Sequence, residues 1–140
     1  MMVLNIWKVQ LVKMKHKGII IVGCICLLLI IGGVFAMNHI VDQADRLSMK
    51  TPDLEKIDDG IYEGKYGIVP VSVVVQVSVQ NHKMVDIAIV KHENGLGGKA
   101  EKVVKDIIKM QSLDVDTISG ATVSSKCIMK AIEQALVKGE

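Results

Sequence analysis

Val71-Ser72-Val73-Val74-Val75-Gln76-Val77-Ser78-Val79-Gln80 decides the fold class. Val71, Val73, Val75, Val77 and Val79 alternate with Ser72, Val74, Gln76, Ser78 and Gln80. A period of two in β-branched residues predicts a strand with one buried face. Asn81-His82-Lys83 is a turn signal, and a second run from about Met84 to Lys91 sets Val85, Ile87 and Ile89 on one face. The two runs predict an antiparallel hairpin. Upstream, Asp59-Gly60-Ile61-Tyr62-Glu63-Gly64-Lys65-Tyr66-Gly67 reads as a short first strand, or a strand plus turn, with glycines that permit bends.

Downstream the period changes. Lys99 to Met110 places Ala100, Val103, Val104, Ile107 and Ile108 on one side and Lys102, Lys105, Asp106 and Lys109 on the other, which predicts an amphipathic helix. A last helix is expected from about Val123 to Val137. Its apolar face is Cys127, Ile128, Ala131, Ile132, Ala135 and Leu136, and Gly139 marks its end. The expected domain is α+β: an antiparallel hairpin or sheet packed against two helices.

The chain has 140 residues, half of them hydrophobic, which leaves room for one small domain and a further segment. That segment is Gly18 to Met37, twenty uncharged and mostly apolar residues. It matches the length of a helix crossing a bilayer core of roughly 30 Å. Lys8, Lys13, Lys15 and Lys17 precede it. Asp42, Asp45, Arg46 and Lys50 follow without positive bias, so the lysine asymmetry orients the N-terminus to the cytoplasm. The expected organisation is 1–17 cytoplasmic, 18–37 transmembrane, 38–58 linker and 59–140 an extracytoplasmic domain. Ile40, Val41, Ala44 and Leu47 keep helical spacing past the apolar run, and Thr51-Pro52 is the expected stop.

Two other readings of the apolar run stay open. A cleaved signal peptide could use Val34-Phe35-Ala36, although its apolar core would be shorter than this run. A lipoprotein could use Ile21-Val22-Gly23-Cys24, although only Gly18 to Gly23 would form its core. Met14-Lys15-His16-Lys17 is an ordinary start for a signal-anchor, which makes Met1, Met2 and Met14 alternative starts. The chain carries 17 Lys and Arg against 15 Asp and Glu, so no basic excess argues for nucleic acid. Cys24 and Cys26 lie in the apolar run and Cys127 stands alone, so no metal or redox motif forms. His16, His39, His82 and His92 have no metal-ligand spacing.

One stretch carries chemistry: Asp116-Thr117-Ile118-Ser119-Gly120-Ala121-Thr122-Val123-Ser124-Ser125. Ser119, Thr122, Ser124 and Ser125 bring four hydroxyls to a helix start. They serve either to cap the free N–H groups of the helix or, with those N–H groups and the helix dipole, to receive a phosphate. Gly120 lets the loop turn sharply and lets a phosphate approach the backbone. Five hydroxyls compete as acceptor of such a group: Thr117, Ser119, Thr122, Ser124 and Ser125.

Asp116-x-x-Ser119-Gly120-Ala121-Thr122, with Gln111-Ser112-Leu113 before it and Ser124-Ser125 after it, resembles the flavinylation pattern of the FMN-binding domain family. That family includes flavin-carrying subunits of Na+-translocating NADH:quinone reductase and Rnf complexes, and small membrane-anchored proteins. The resemblance runs from about Asp59 to the C-terminus. It implies FMN joined to Thr122 by a phosphoester bond, made by a separate flavin transferase from FAD, with Ser119, Gly120, Ala121, Ser124 and Ser125 around the phosphate. Asp116 ties down the loop, is read by the transferase, or is an ordinary loop aspartate. His92-Glu93-Asn94-Gly95-Leu96-Gly97-Gly98 corresponds to a stretch beside the flavin in the family, which makes His92 a candidate contact. The Thr-Pro found there in respiratory-complex members is missing here. The implied role is an electron carrier in the membrane, with a redox donor and acceptor as partners, more than a substrate-transforming enzyme. An accessory protein of the same fold, with loose FMN or none, is the alternative.

Overall fold

The computed structural model describes residues 2–93 and 97–139, and for residues 2–17 and 97 the backbone alone. Asn94, Gly95 and Leu96 of the glycine-rich stretch lie outside the described residues. The chain divides into two compact units, the first ending at His39 and the second beginning at Ile40.

The first unit is made of helix α1, Met2–Asp45, which continues into the second. From Gly18 to His39 every side chain is exposed. Mean hydropathy reaches 3.1 in the most apolar window of Gly18–Asp45. Isoleucine and leucine exposed all along Gly18 to His39 have no partner in water, so this stretch calls for an apolar surrounding. It is long and apolar enough to cross a membrane, a description that a signal sequence near an N-terminus also meets.

The second unit is built on a three-stranded antiparallel sheet in the order β1-β2-β3: Gly60–Ile68, Val71–Gln80 and Lys83–Glu93. Two helices, α2 (Val103–Met110) and α3 (Thr122–Val137), complete it, and the fold class is α+β as expected. The five odd-numbered valines of β2 are all buried. The β2–β3 turn is two residues, Asn81 and His82, with φ of 50° and 58°. Two successive positive φ values are the mark of a type I′ turn, whose twist matches that of the flanking strands.

Strand β3 departs from simple alternation. Val79 pairs with Met84 and Ser78 with Asp86, which leaves Val85 as a surplus residue. Met84 is therefore buried and Val85 exposed, the reverse of the expected facing for Val85. A second shift, between Val75↔Ile89 and Val74↔Lys91, leaves Val90 surplus. Such bulges kink a strand and reset which side chains face inward.

α3 lies on the inner face of the sheet. Gly64 serves this packing more than any bend: a Cβ there would sit 1.9 Å from the Ala131 carbonyl oxygen and 2.6 Å from the Ala135 nitrogen. Further along β1, the Cys127 side chain is hydrogen-bonded to the backbone of Ile68. α3 thus runs from the Ile68 end of the sheet, where it starts, toward Gly64. Its buried face contains all six apolar residues expected, together with Met129, Ser124 and Ser125.

The helix expected over Lys99–Met110 begins differently. Gly97–Lys102 is a 3₁₀ turn, and α-helix starts only at Val103. Its N-cap, Lys102, makes no side-chain cap bond, so the tighter turn leads into the helix without one. Ala100, Val103 and Ile107 are buried as the spacing requires.

α1 ends at Asp45, well before Pro52. Ala44 is buried, and Leu47 and Met49 pack on the core. Lys126 of α3 pairs with Asp45 at 2.7 Å, and Thr51 Oγ1 accepts a bond from the Leu113 N–H at 2.9 Å. These ties draw residues 46–52 out of helical form before the proline is reached.

Candidate functional site

The loop entering α3 is organised by a four-residue turn. The Ala121 N–H donates to the Ile118 carbonyl at 2.9 Å, and Gly120, third in the turn, has φ 75°. A positive φ at that position defines a type II turn and favours glycine. Ser119 and Gly120 are exposed at its corner. Ser125 holds the turn from below. Its Oγ accepts from the Ile118 N–H at 3.1 Å and donates to the Ala121 carbonyl at 3.0 Å, with the residue fully buried. Ser125 is therefore a strut of the loop, with its hydroxyl committed to backbone.

The start of α3 is unusual for a segment rich in serine and threonine. Its N-cap is Ala121, and no side chain caps it. The first helical bond runs from the Ser125 N–H to the Ala121 carbonyl at 2.9 Å, so the N–H groups of Thr122, Val123 and Ser124 come before any helical partner. Thr122 opens the helix half-buried, and Ser124 is buried one turn edge away. The capping role that serine and threonine ordinarily play is not the role of these hydroxyls. The end of the helix keeps its partial positive charge and its donors, as an anion site requires.

Asp116 is exposed, and it lines a groove of about 460 Å³ with Asp106, Lys109, Met110, Asp114 and Val115. The groove runs along α2 and the segment that leads into the turn. Among the described residues no cluster of histidine, cysteine and acidic side chains could hold a metal ion.

His92 is carried by β3, near its end. Plain alternation from Ile87 and Ile89 would turn Lys91 and Glu93 inward and His92 outward. The surplus Val90 reverses this, so His92 stands opposite Val73 on the inner face with its side chain 3% exposed. Its Nδ1 lies 3.0 Å from Oε1 of Glu101, on the 3₁₀ turn, and its Nε2 is buried without a hydrogen-bond partner. An unsatisfied buried polar atom costs about 1–3 kcal/mol. Glu93 instead pairs with Lys91 at 2.9 Å in solvent. Glu101 has no signal in the sequence: it stands nine positions after His92, and only the return of the chain over the sheet joins them.

The remaining titrating group of note is Cys127. Burial pushes its thiol above the ordinary value of 9.0, opposed by the hydrogen bond with the Ile68 backbone. A thiol held protonated in this way is a poor nucleophile.

A family model described as FMN-binding domain matches residues 64–137, from the middle of β1 to the last residue of α3. A comparison with curated proteins finds no match.

Proposed function

The chain belongs to the FMN-binding domain family, and on that premise we propose that it is a membrane-anchored electron carrier with FMN held as a phosphoester on Thr122. The observation that carries this reading is the uncapped start of α3. Ala121 occupies the cap position, Thr122 follows it, and three N–H groups precede the first helical bond. A phosphate on the Thr122 hydroxyl lies within reach of those donors, and an anion there offsets the dipole end.

The residues divide the work. Thr122 supplies the hydroxyl: it attacks the FMN-side phosphorus of FAD, a P–O bond forms, AMP leaves and the hydroxyl proton is released. A flavin transferase carries out this step. Gly120 admits the phosphate to the backbone, exposed Ser119 donates to it, and Ser125 keeps the turn in register. Asp116, on the groove side, contacts the transferase. Bound FMN supplies one- and two-electron redox chemistry. Tyr62 and Tyr66 pack on the core, so few rings are free to enclose a flavin, which suits exchange of electrons with a partner protein. The lysines before the apolar helix support an extracytoplasmic domain, where a covalent link prevents loss of the flavin.

Co-expression of the full chain with a flavin transferase tests this. Wild type should give a fluorescent band on a denaturing gel and a mass increase of one FMN less one water. Thr122→Ala should fold and reach the membrane, with stability changed by about 1 kcal/mol or less, and give no band. Ser119→Ala should reduce labelling without abolishing it. Covalent flavin on Thr122→Ala, or none on wild type, overturns the phosphoester. In the second case the accessory or loosely binding form takes its place.

A further inference from the structure

Four lysines line the solvent side of the segment that begins at Gly97 and ends with α2. Lys99 and Lys102 lie on the 3₁₀ turn, Lys105 and Lys109 on α2, and all four are exposed. In a 3₁₀ helix residues three apart eclipse, so Lys99 stands in line with Lys102. Three and seven positions further on, in α-helix, Lys105 and Lys109 keep to the same side. The four share an arc of about 60° and a length of about 16 Å. An α-helix throughout would spread them over about 120°. The 3₁₀ start thus draws the lysines into one row.

Nothing within the chain accounts for this row. Lys56, Lys91, Lys126 and Lys130 each hold a carboxylate, and Lys138 donates to the Glu63 carbonyl. Among the described residues the four lysines of the row hold no carboxylate. Glu101, between two of them, is taken by His92 at 3.0 Å. Asp106, Asp114 and Asp116 line the groove along α2, which of the four only Lys109 borders. Helix stability does not call for the row either. Lys99 and Lys102 stand at the N-terminal end, where the dipole disfavours cations. Lys105 and Lys109, four apart, repel each other. A solvated helix face ordinarily mixes its signs at these spacings. A row of one sign fits an anionic surface.

The chain itself keeps such a surface near. α1 enters the second unit and ends at Asp45. Thr51 Oγ1 accepts from the N–H of Leu113, which follows shortly after α2, at 2.9 Å. The six residues from Asp45 to Thr51 span at most about 20 Å. α2 is therefore held near the point where the apolar helix enters this unit. We propose that the row of Lys99, Lys102, Lys105 and Lys109 docks on anionic lipid headgroups of the membrane that α1 crosses. This rests on the reading of α1 as a membrane anchor and is independent of a flavin on Thr122. A cluster of about four lysines on an amphipathic helix is enough to hold an anionic lipid surface.

The test uses the full chain in nanodiscs of phosphatidylcholine, alone or mixed with phosphatidylglycerol. A pulse of an amine-acetylating reagent is read by peptide mass spectrometry. With phosphatidylglycerol, acetylation of Lys99, Lys102, Lys105 and Lys109 should slow about fivefold, and added salt should restore it. Lys65, exposed on β1, should react alike in both discs. In the double variant Lys102→Glu, Lys105→Glu, with its melting temperature as the check on the fold, the slowing at Lys99 and Lys109 should be lost. Equal rates in the two discs, or slowing already complete in phosphatidylcholine, overturn this inference and leave the anchor standing. Slowing in membranes of the producing cells that is absent from phosphatidylglycerol discs assigns the row to an acidic protein and overturns it as well. A chain that enters neither disc overturns the anchor and this inference with it.

Discussion

Gly64 leaves no room for a methyl group. The atoms a Cβ would meet, Ala131 O and Ala135 N, are helix backbone and cannot swing aside. Gly64→Ala must push α3 off the sheet, and overpacking of this kind costs about 1–3 kcal/mol or more. At about 4–8 °C per kcal/mol for a unit of this size, a thermal melt should show the loss clearly. An unchanged melting temperature would mean that α3 does not approach β1 so closely. Cys127 invites a second measurement. Its raised pKa in the folded state means that its contribution to stability is complete below the unfolded value and is lost as pH climbs through the folded one. At pH 8 the Cys127 peptide should resist alkylation in native protein and react readily once denatured. Rapid native alkylation would refute the burial. At this scale the sequence was legible where a residue acts alone: Gly120 turns the loop, as its place in Ser-Gly-Ala-Thr implied. It was not legible where a residue acts through a distant partner. Nothing in Ser125 announces that its hydroxyl braces Ile118 and Ala121, and nothing in Glu101 announces His92.

Among the elements, β3 and α2 are joined by one side chain. Gln111, at the left-handed end of α2 (φ 52°), accepts the Met84 N–H at 2.8 Å through Oε1 and donates from Nε2 to the carbonyls of Met84 and Ile108 at 2.9 and 2.7 Å. It closes the outer edge of β3 beside its first bulge, where backbone groups would otherwise lack partners. Gln111→Ala should cost about 1–3 kcal/mol, the range for stranded buried polar groups, and speed hydrogen exchange at Met84 more than at Val77 in the sheet centre. Equal exchange at the two amides would show that the edge is held by other means. The elements themselves were written in periodicity: alternating valines for β2, a stripe of five for α2, six for α3. The bulges were not, because a surplus valine in a strand of valines and isoleucines leaves no mark in composition. The 3₁₀ start of the α2 segment was likewise hidden, since Ala100 and Val103 fit either helix.

For the molecule as a whole, the separable question is which side of the membrane each end occupies. The apolar helix and the lysines before it lead to a cytoplasmic N-terminus and an extracytoplasmic domain, as proposed above. Protease added to intact cells should remove an epitope placed after Glu140 and spare one placed before Met14. Survival of the C-terminal epitope beside a digested outer control would reverse the orientation, and would keep Thr122 from any transferase that works outside. Composition and the lysine asymmetry carried this expectation unaided. The family motif, not composition, carried the expectation of a flavin.

The two bulges of β3 have a consequence for inheritance. Val85 and Val90 are each unmatched by any residue of β2. Loss of either codon leaves every other pairing between the strands as it stands, with Met84, Ile87, Ile89 and His92 still turned inward. Loss of a codon at a matched position reverses the facing of all that follows. Descendants of this gene can therefore shorten β3 at two places, and length differences among related sequences should fall at those two and spare the residues between them.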